Sequence, residues 1–236
     1  YSWPWLASVP KGDGHTVMVL PGFTAGDQST LLLRRVLKRL NYNPLPWELG
    51  QNTGSVELQD RLHDRFTAVL AEYPGKISLI GQSLGGVFAR VLAHEYSDRV
   101  RQVITLGSPF ASSSPDTVNS VVSRLFQTVS GMTREEMQDQ MTDFPAGAPP
   151  VPSSAVYSRT DGVVHWRTCV ENGGEQAENI EVVGSHSGMG FNPLVLNVIA
   201  DRLSQPLGAW RPFERSGCRS LIYPAPEPAD QSTNGH

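Results

Sequence analysis

Short apolar runs rich in β-branched residues alternate along the chain with longer segments whose apolar residues recur at helical spacing. Runs of this length, bounded by polar residues or turn residues, predict buried β-strands. We expect such strands at residues 15–20, 77–80, 102–106, 154–158 and 179–183. A weaker strand at residues 43–49 contains two prolines and therefore belongs nearer the edge of a sheet.

The segments between these runs predict helices. Residues 29–40 place leucine and valine on one helical face and basic residues mostly outside it. Ser55 is expected to cap a second helix, which a Tyr-Pro-Gly turn ends. A third helix is expected over residues 84–96. A closing helix is expected to begin after Asn192, with proline at its first position.

The steady alternation of strand and helix predicts an α/β fold with a mostly parallel central sheet of about six strands, flanked by helices. We expect a single domain over residues 1–236, because the chain contains no internal repeat and no linker. Residues 110–152 interrupt the alternation, and their apolar stripe predicts a helical insertion that either packs into the core or caps a site. Residues 206–236 are expected to form a C-terminal extension and tail.

One serine stands where a predicted strand meets a predicted helix. The segment Gly81-Gln82-Ser83-Leu84-Gly85 matches the pattern G-x-S-x-G, whose glycines let a strained turn pass close to neighbouring elements. Such a turn exposes the serine oxygen at the carboxyl end of a strand, where a histidine can take its proton. The pattern alone is common by chance, but its strand–turn–helix setting makes Ser83 the predicted nucleophile.

A serine nucleophile needs a base, and the chain has six histidines. His186 lies in a glycine-flanked loop after the last predicted strand, at the sheet edge where Ser83 also lies. The other histidines begin a strand, lie on helices, follow a strand at some distance or end the chain: His15, His63, His94, His165 and His236. His186 is therefore the predicted base.

The base in turn needs a carboxylate that holds its tautomer and stabilises the imidazolium. Asp161 follows the strand predicted at residues 154–158 and precedes His186 in the chain. The competing aspartates follow a helix or lie in the insertion: Asp98, Asp116 and Asp143. The order Ser83, Asp161, His186 is the nucleophile–acid–histidine order of hydrolases that carry their serine on such a turn.

Attack by the serine creates an oxyanion, which two backbone N–H groups must stabilise. The residue after the nucleophile supplies one of them, so Leu84 is predicted for this role. The second donor is expected from the loop after the first strand, residues 21–24. We predict the N–H of Phe23, with Thr24 as the alternative.

With these residues assigned, the sequence resembles the α/β-hydrolase superfamily, on the side of the small bacterial lipases and esterases. The matching segments are VMVLPGF (17–23), ISLIGQSLGG (77–86), VITLGSPF (103–110), YSRTDGVV (157–164) and VVGSHSGMGFNP (182–193). The family commonly has histidine where this chain has Pro21, a difference that removes a side chain but not the backbone donor.

The resemblance implies the α/β-hydrolase fold and hydrolysis of carboxylic esters through an acyl-enzyme on Ser83. It implies neither a metal nor an organic cofactor. Four other hypotheses are compatible with the same fold. The protein could be an acyltransferase, a thioesterase or an amidase with the same triad, or a non-catalytic binding protein.

Composition adds expectations about partners. The net charge of −4 gives no reason to expect nucleic acid as a partner, and no apolar run approaches the roughly 18 residues of a membrane span. We expect a soluble, cytoplasmic protein acting on a small-molecule ester, and its oligomeric state stays open.

Cys169 and Cys218 are either free thiols or one disulfide. Four methionines suggest a substrate with an apolar acyl chain: Met132, Met137, Met141 and Met189. Methionine more commonly just fills irregular gaps in a core.

Overall fold

The computed structural model describes residues 9–111, 145 and 147–225, and these residues form a six-stranded sheet covered by helices. The strands are β1 (Thr16–Leu20), β2 (Asn43–Leu45), β3 (Ile77–Gln82), β4 (Val100–Leu106), β5 (Ser153–Tyr157) and β6 (Ala177–Glu181). They lie in the order β2-β1-β3-β4-β5-β6, and every neighbouring pair is parallel. The predicted α/β architecture is confirmed.

The strands deviate from their predicted bounds by one to four residues at one or both ends, and the deviations of β2 and β4 have a physical reason. β2 is an edge strand, as predicted, but it is only three residues long because prolines at positions 44 and 46 limit its pairing. β4 begins two residues earlier than predicted and includes a buried arginine, Arg101. The strand was predicted to begin after this charged residue. Its guanidinium donates to Asp13 Oδ2 and Gln205 O, each at 2.7 Å, and these hydrogen bonds allow the charge to be buried inside the sheet.

Helices connect the strands and cover both faces of the sheet. They are α1 (Leu31–Arg39), α2 (Val56–Glu72), α3 (Leu84–Glu95) and α4 (Pro193–Leu203). Ser55 caps α2 by accepting from Leu58 N at 3.4 Å, and Asn192 caps α4 by accepting from Leu194 N at 2.9 Å. Both caps are as predicted. None of the helices within the described residues is long and apolar enough to cross a bilayer.

The core lies in two layers, one on each face of the sheet. On one face, α1 and α4 pack against Val17, Val19 and the residues that share their orientation on β3 to β6. On the other face, α2 and α3 pack against Met18, Leu20 and their neighbours on β3 and β4. Because successive side chains of a strand point to opposite faces, the continuous apolar run of β1 supplies both layers.

A buried ion pair fastens α3 to the β5 side of the sheet. Arg90 of α3 donates to Glu171, whose Oε1 also accepts from Ser153 Oγ of β5 at 2.8 Å. The guanidinium of Arg90 also donates to Gly147 O at 2.5 Å and lies 3.8 Å from the ring centroid of Phe110. The charge is thus paired and hydrogen-bonded on several sides, as burial requires.

The structure describes both cysteines and one of the four methionines singled out in the sequence. Cys169 is buried and Cys218 is exposed, and both are free thiols. Met189 is fully buried in the core, so the interpretation of this methionine as a core-filling residue is correct. The apolar stripe at residues 118–129, with Met132, Met137 and Met141, lies outside the described residues, as does the end of the predicted tail from residue 226.

Candidate active site

Ser83 occupies a sharp turn between the end of β3 and the start of α3. Its φ of 51° and ψ of −125° are unusual for a residue with a side chain, so the backbone is strained here. Both hydrogen bonds that Ser83 makes within the described residues use its backbone, which pairs with Leu106 O and Gly86 N at 2.9 Å each. Its hydroxyl group is therefore unpaired among these residues, and the side chain is only half-buried.

Two glycines make this turn possible. A Cβ atom at Gly81 would lie 2.2 Å from Gly85 O, and one at Gly85 would lie 2.5 Å from Leu20 O and Pro21 O. Real Cβ atoms essentially never approach other atoms below 3.0 Å, so a side chain fits at neither position. The close approach predicted from the G-x-S-x-G pattern is therefore observed, and it packs the turn against the end of β1.

Asp161 and His186 lie together at the same edge of the sheet, although they are 25 positions apart in the chain. The 2.6 Å contact joins His186 Nδ1 to Asp161 Oδ2. The side chain of Asp161 is 2% exposed and that of His186 is 11% exposed, so both are shielded from solvent. An ionised carboxylate only accepts hydrogen bonds, so in the neutral imidazole that pairs with it Nδ1 carries the proton and Nε2 is left as an acceptor.

The Asp161 carboxylate is fixed by its own loop. Its Oδ1 accepts from the backbone N–H groups of Val163 and Val164 at 2.8 and 3.0 Å. This leaves Oδ2 for His186 and keeps the negative charge in one orientation. The two loops are also joined, because Thr160 Oγ1 donates to Gly184 O at 3.1 Å.

Gln82, directly before the serine, links the serine turn to the histidine loop. Its Nε2 donates to the backbone oxygen of His186 at 3.1 Å. The carboxyl end of β4 lies alongside, since a Cβ at Gly107 would lie 3.2 Å from Asp161 Oδ2. The structure therefore places the three sequence-predicted residues after the carboxyl ends of β3, β5 and β6, at one edge of the sheet. Gln82 connects two of their loops, and the sequence pattern did not predict this connection.

The loop after β1 passes directly over the serine turn. A Cβ at Gly22 would lie 3.3 Å from the Ser83 Cβ. The N–H of Thr24 donates to Asn52 O at 2.8 Å, so the alternative oxyanion donor proposed from the sequence is already engaged. Phe23 is the donor that the sequence predicts on this loop. Leu84 begins α3, where backbone N–H groups have no partner within the helix.

A second set of the same three residue types lies at the opposite edge of the sheet. His15 Nε2 is 2.8 Å from Ser78 Oγ, and His15 Nδ1 is 2.5 Å from Asp13 Oδ1. Arg101 Nη1 donates to the other oxygen of Asp13. Sequence reasoning placed His15 at this edge but did not predict the set, because its members are joined only by strand register.

The second set lacks the features of a reactive serine. Ser78 is fully buried inside β3, where it pairs with Val17 and Gln102 on the neighbouring strands. No acyl group could reach its hydroxyl, and it has no strained turn and no helix beginning beside it. Ser83 is therefore the candidate nucleophile, and the Ser78 set is a buried polar network.

Comparisons with known proteins agree with this architecture. A family model described as the alpha/beta hydrolase fold matches residues 59–149, which include β3, the serine turn and α3. The crystal structure of a monoacylglycerol lipase from Paleococcus ferrophilus superposes with a TM-score of 0.62 at 16% identity, covering 83% of this chain and 96% of that one. The chain has the α/β-hydrolase fold. The resemblance seen in the sequence is thus confirmed at the level of fold.

Other α/β-hydrolase-fold structures are similarly distant in sequence. Aspergillus fumigatus lipase B is 17% identical, with a TM-score of 0.62 over 86% of this chain and 56% of that one. A thioesterase domain from the curacin biosynthetic pathway is 12% identical, with a TM-score of 0.53 over 81% of this chain and 92% of that one. No curated protein matches the sequence.

The Ser78 network makes folding stability depend on pH. Burial lowers the pKa of His15 below its ordinary 6.5, and the Arg101 charge adds to this, outweighing the hydrogen bond to Asp13 that raises the pKa. Below about pH 6.5 the unfolded chain therefore binds a proton that the folded chain resists. We expect the thermal unfolding midpoint to fall as pH drops from 7 to 5, and His15→Gln to reduce that slope.

The matched control is His63→Gln, because His63 is a half-exposed histidine on α2 away from this network. Its slope is the reference for removing a histidine outside the Ser78 network. A His15→Gln slope equal to that of the wild type would contradict the account, whatever the absolute stability of the variant.

Proposed function

We propose that the chain is a serine hydrolase that cleaves carboxylic esters through an acyl-enzyme on Ser83. In this proposal Ser83 is the nucleophile, His186 is the general base and acid, and Asp161 orients His186. The observation that carries the proposal is the shielded hydrogen bond between His186 and Asp161, beside the strained serine turn at the carboxyl edge of the sheet.

In the acylation half of the reaction, Ser83 Oγ bonds to the ester carbonyl carbon while His186 Nε2 takes the hydroxyl proton. The carbonyl π electrons move onto oxygen, and the N–H groups of Leu84 and Phe23 stabilise that charge. When the intermediate collapses, the bond to the alcohol oxygen breaks and the alcohol leaves with the proton held by His186. Asp161 stays ionised and stabilises the imidazolium formed in between.

Deacylation repeats the same steps with water. A water molecule gives a proton to His186 as its oxygen attacks the carbonyl carbon of acyl-Ser83. Collapse breaks the bond to Ser83 Oγ, which recovers the proton, and the carboxylic acid is released. Every proton moves between Ser83, His186, water and the substrate, so the sequence of steps uses neither a metal nor an organic cofactor.

Two alternatives to this proposal share its acyl-enzyme. A thioesterase differs in the leaving group, which is a thiol, and an acyltransferase differs in the acceptor, which is not water. A thioesterase or acyltransferase would use the same three residues, and a thioesterase domain is among the proteins of similar fold. The lipases among these proteins favour the hydrolysis of oxygen esters. A comparison of oxygen esters with matched thioesters, with alcohol present as a competing acceptor, separates the three.

The two Ser-His-Asp sets provide an internal control for the assignment of Ser83. We expect Ser83→Ala to lower the rate of p-nitrophenyl butyrate hydrolysis by at least about 10³-fold, because the acyl-enzyme can no longer form. Ser78→Ala removes a hydroxyl from β3, the strand that leads to Ser83, and is expected to keep most of the activity. Full activity in Ser83→Ala, or a loss confined to Ser78→Ala, would contradict the proposal.

Apolar surface beside the histidine loop supports a substrate with an apolar acyl chain. Val183 is 59% exposed and Phe191 is 46% exposed, and the Asn192 side chain donates to Val183 O at 2.9 Å across the base of the loop. Burying substrate methylenes there would raise kcat/KM by up to about fourfold for each one. Rates on p-nitrophenyl esters from acetate to palmitate, with and without an emulsified interface, are therefore expected to rise from acetate. A sharp preference for acetate would contradict this.

A further inference from the structure

Asn52 is a buried polar residue that the catalytic steps above do not use. It is 0% exposed, although it lies in the connection between β2 and α2, where asparagine is ordinarily on the surface. Every polar group of a fully buried asparagine must find a partner inside the protein. The partners of Asn52 lie on the loop that follows β1 and in its own connection.

The loop after β1 contains a strained turn. Ala25 N donates to Gly22 O at 3.1 Å, so residues 22–25 form a β-turn with Phe23 and Thr24 at its centre. Thr24 has a φ of 62°. A turn with a positive φ at its third residue ordinarily has glycine or asparagine there, and a β-branched threonine adopts this conformation only when its surroundings impose it.

Asn52 holds this turn at three points. Its backbone carbonyl accepts from Thr24 N, and its backbone N–H donates to Ala25 O, both at 2.8 Å. Its side-chain Nδ2 donates to Pro21 O at 2.9 Å. The side-chain Oδ1 accepts from Gly54 N at 3.2 Å, which fixes the asparagine itself.

The Pro21 carbonyl connects Asn52 to the serine turn. The same oxygen that accepts from Asn52 Nδ2 lies 2.5 Å from the position that a Cβ of Gly85 would occupy. The Pro21–Gly22 peptide is therefore held between Asn52 and the glycine after Ser83. The next peptide carries the Phe23 N–H and Gly22 O, and Gly22 O accepts from Ala25 N in the turn that Asn52 holds. The direction of the Phe23 N–H therefore depends on both the Pro21 carbonyl and this turn.

We infer that Asn52 is a positioning residue for oxyanion stabilisation. Its side chain does not touch the substrate, but by fixing the Pro21 carbonyl it sets the direction of the Phe23 N–H toward the carbonyl oxygen bound at Ser83. This inference rests on the proposed function, because it gives Asn52 a role in the step that Ser83 begins.

The test compares Asn52→Ala with Asn179→Ala. The Asn179 side chain also makes two hydrogen bonds to backbone groups, the N–H and C=O of Glu171, at 2.7 and 2.9 Å, but it lies on β6 away from the oxyanion loop. For Asn52→Ala we expect kcat to fall by roughly 10- to 100-fold with KM changed less than about threefold, since a misdirected donor acts on the transition state. Asn179→Ala should lower the unfolding midpoint and leave kcat unchanged.

A boronic acid inhibitor gives a readout that a loss of stability would not move. It forms a tetrahedral adduct with the serine oxygen, so its inhibition constant should rise in Asn52→Ala by about the same factor as kcat falls. Asn52→Leu keeps the branched shape of the side chain without burying a charge, and leucine cannot donate to Pro21 O. This variant is expected to show the same kinetic loss, which covers the case in which Asn52→Ala does not fold.

Failure of this inference is distinguishable from failure of the proposed function. If the wild type hydrolyses the ester, Ser83→Ala does not, and both Asn52 variants keep kcat and the inhibition constant within twofold, only the role of Asn52 is overturned. If Ser83→Ala hydrolyses the ester as fast as the wild type, the proposed function fails and the role of Asn52 fails with it.

Discussion

The backbone of Ser83 is the constraint around which the proposed site is arranged. A residue with a side chain adopts a φ of 51° only where packing imposes it. Here the imposing contacts are backbone to backbone, since Gly81 meets the carbonyl of Gly85 and Gly85 meets the carbonyls that end β1. The serine turn, the start of α3 and the loop after β1 therefore form one packed unit, and a side chain at either glycine would separate them.

The loops around this unit are held by side chains that donate to backbone oxygens. Gln82 holds the backbone of His186, Thr160 joins the aspartate loop to the histidine loop, and Asn52 holds the loop after β1. Bonds of this kind fix the direction of a peptide without placing another charge near the reacting atoms. For a reaction whose main barrier is developing negative charge on oxygen, fixed backbone donors lower that barrier without reorganising during the step.

The sequence predicted those parts of the molecule that follow from periodicity and chain order. The apolar runs predicted five buried strands and an edge strand, and the position of residues after strand ends led to Ser83, Asp161 and His186. The contacts of Gln82 and Asn52 were not predicted, because a single amide at a strand end or in a loop has no periodic pattern and its partner lies far away in the chain. The early start of β4 was missed for a related reason, since Arg101 is buried only because the folded chain supplies its acceptors.

Covalent labelling of the intact protein tests the identity of the nucleophile most directly. A fluorophosphonate loses fluoride to an activated serine and leaves a stable adduct, which mass spectrometry locates after tryptic digestion. Cleavage after Lys76 and Arg90 leaves Ser78 and Ser83 on the same peptide, so fragment ions between the two serines must place the adduct. The account predicts one adduct, on Ser83. An adduct on Ser78 or elsewhere, or no adduct on protein that hydrolyses the ester, would contradict it.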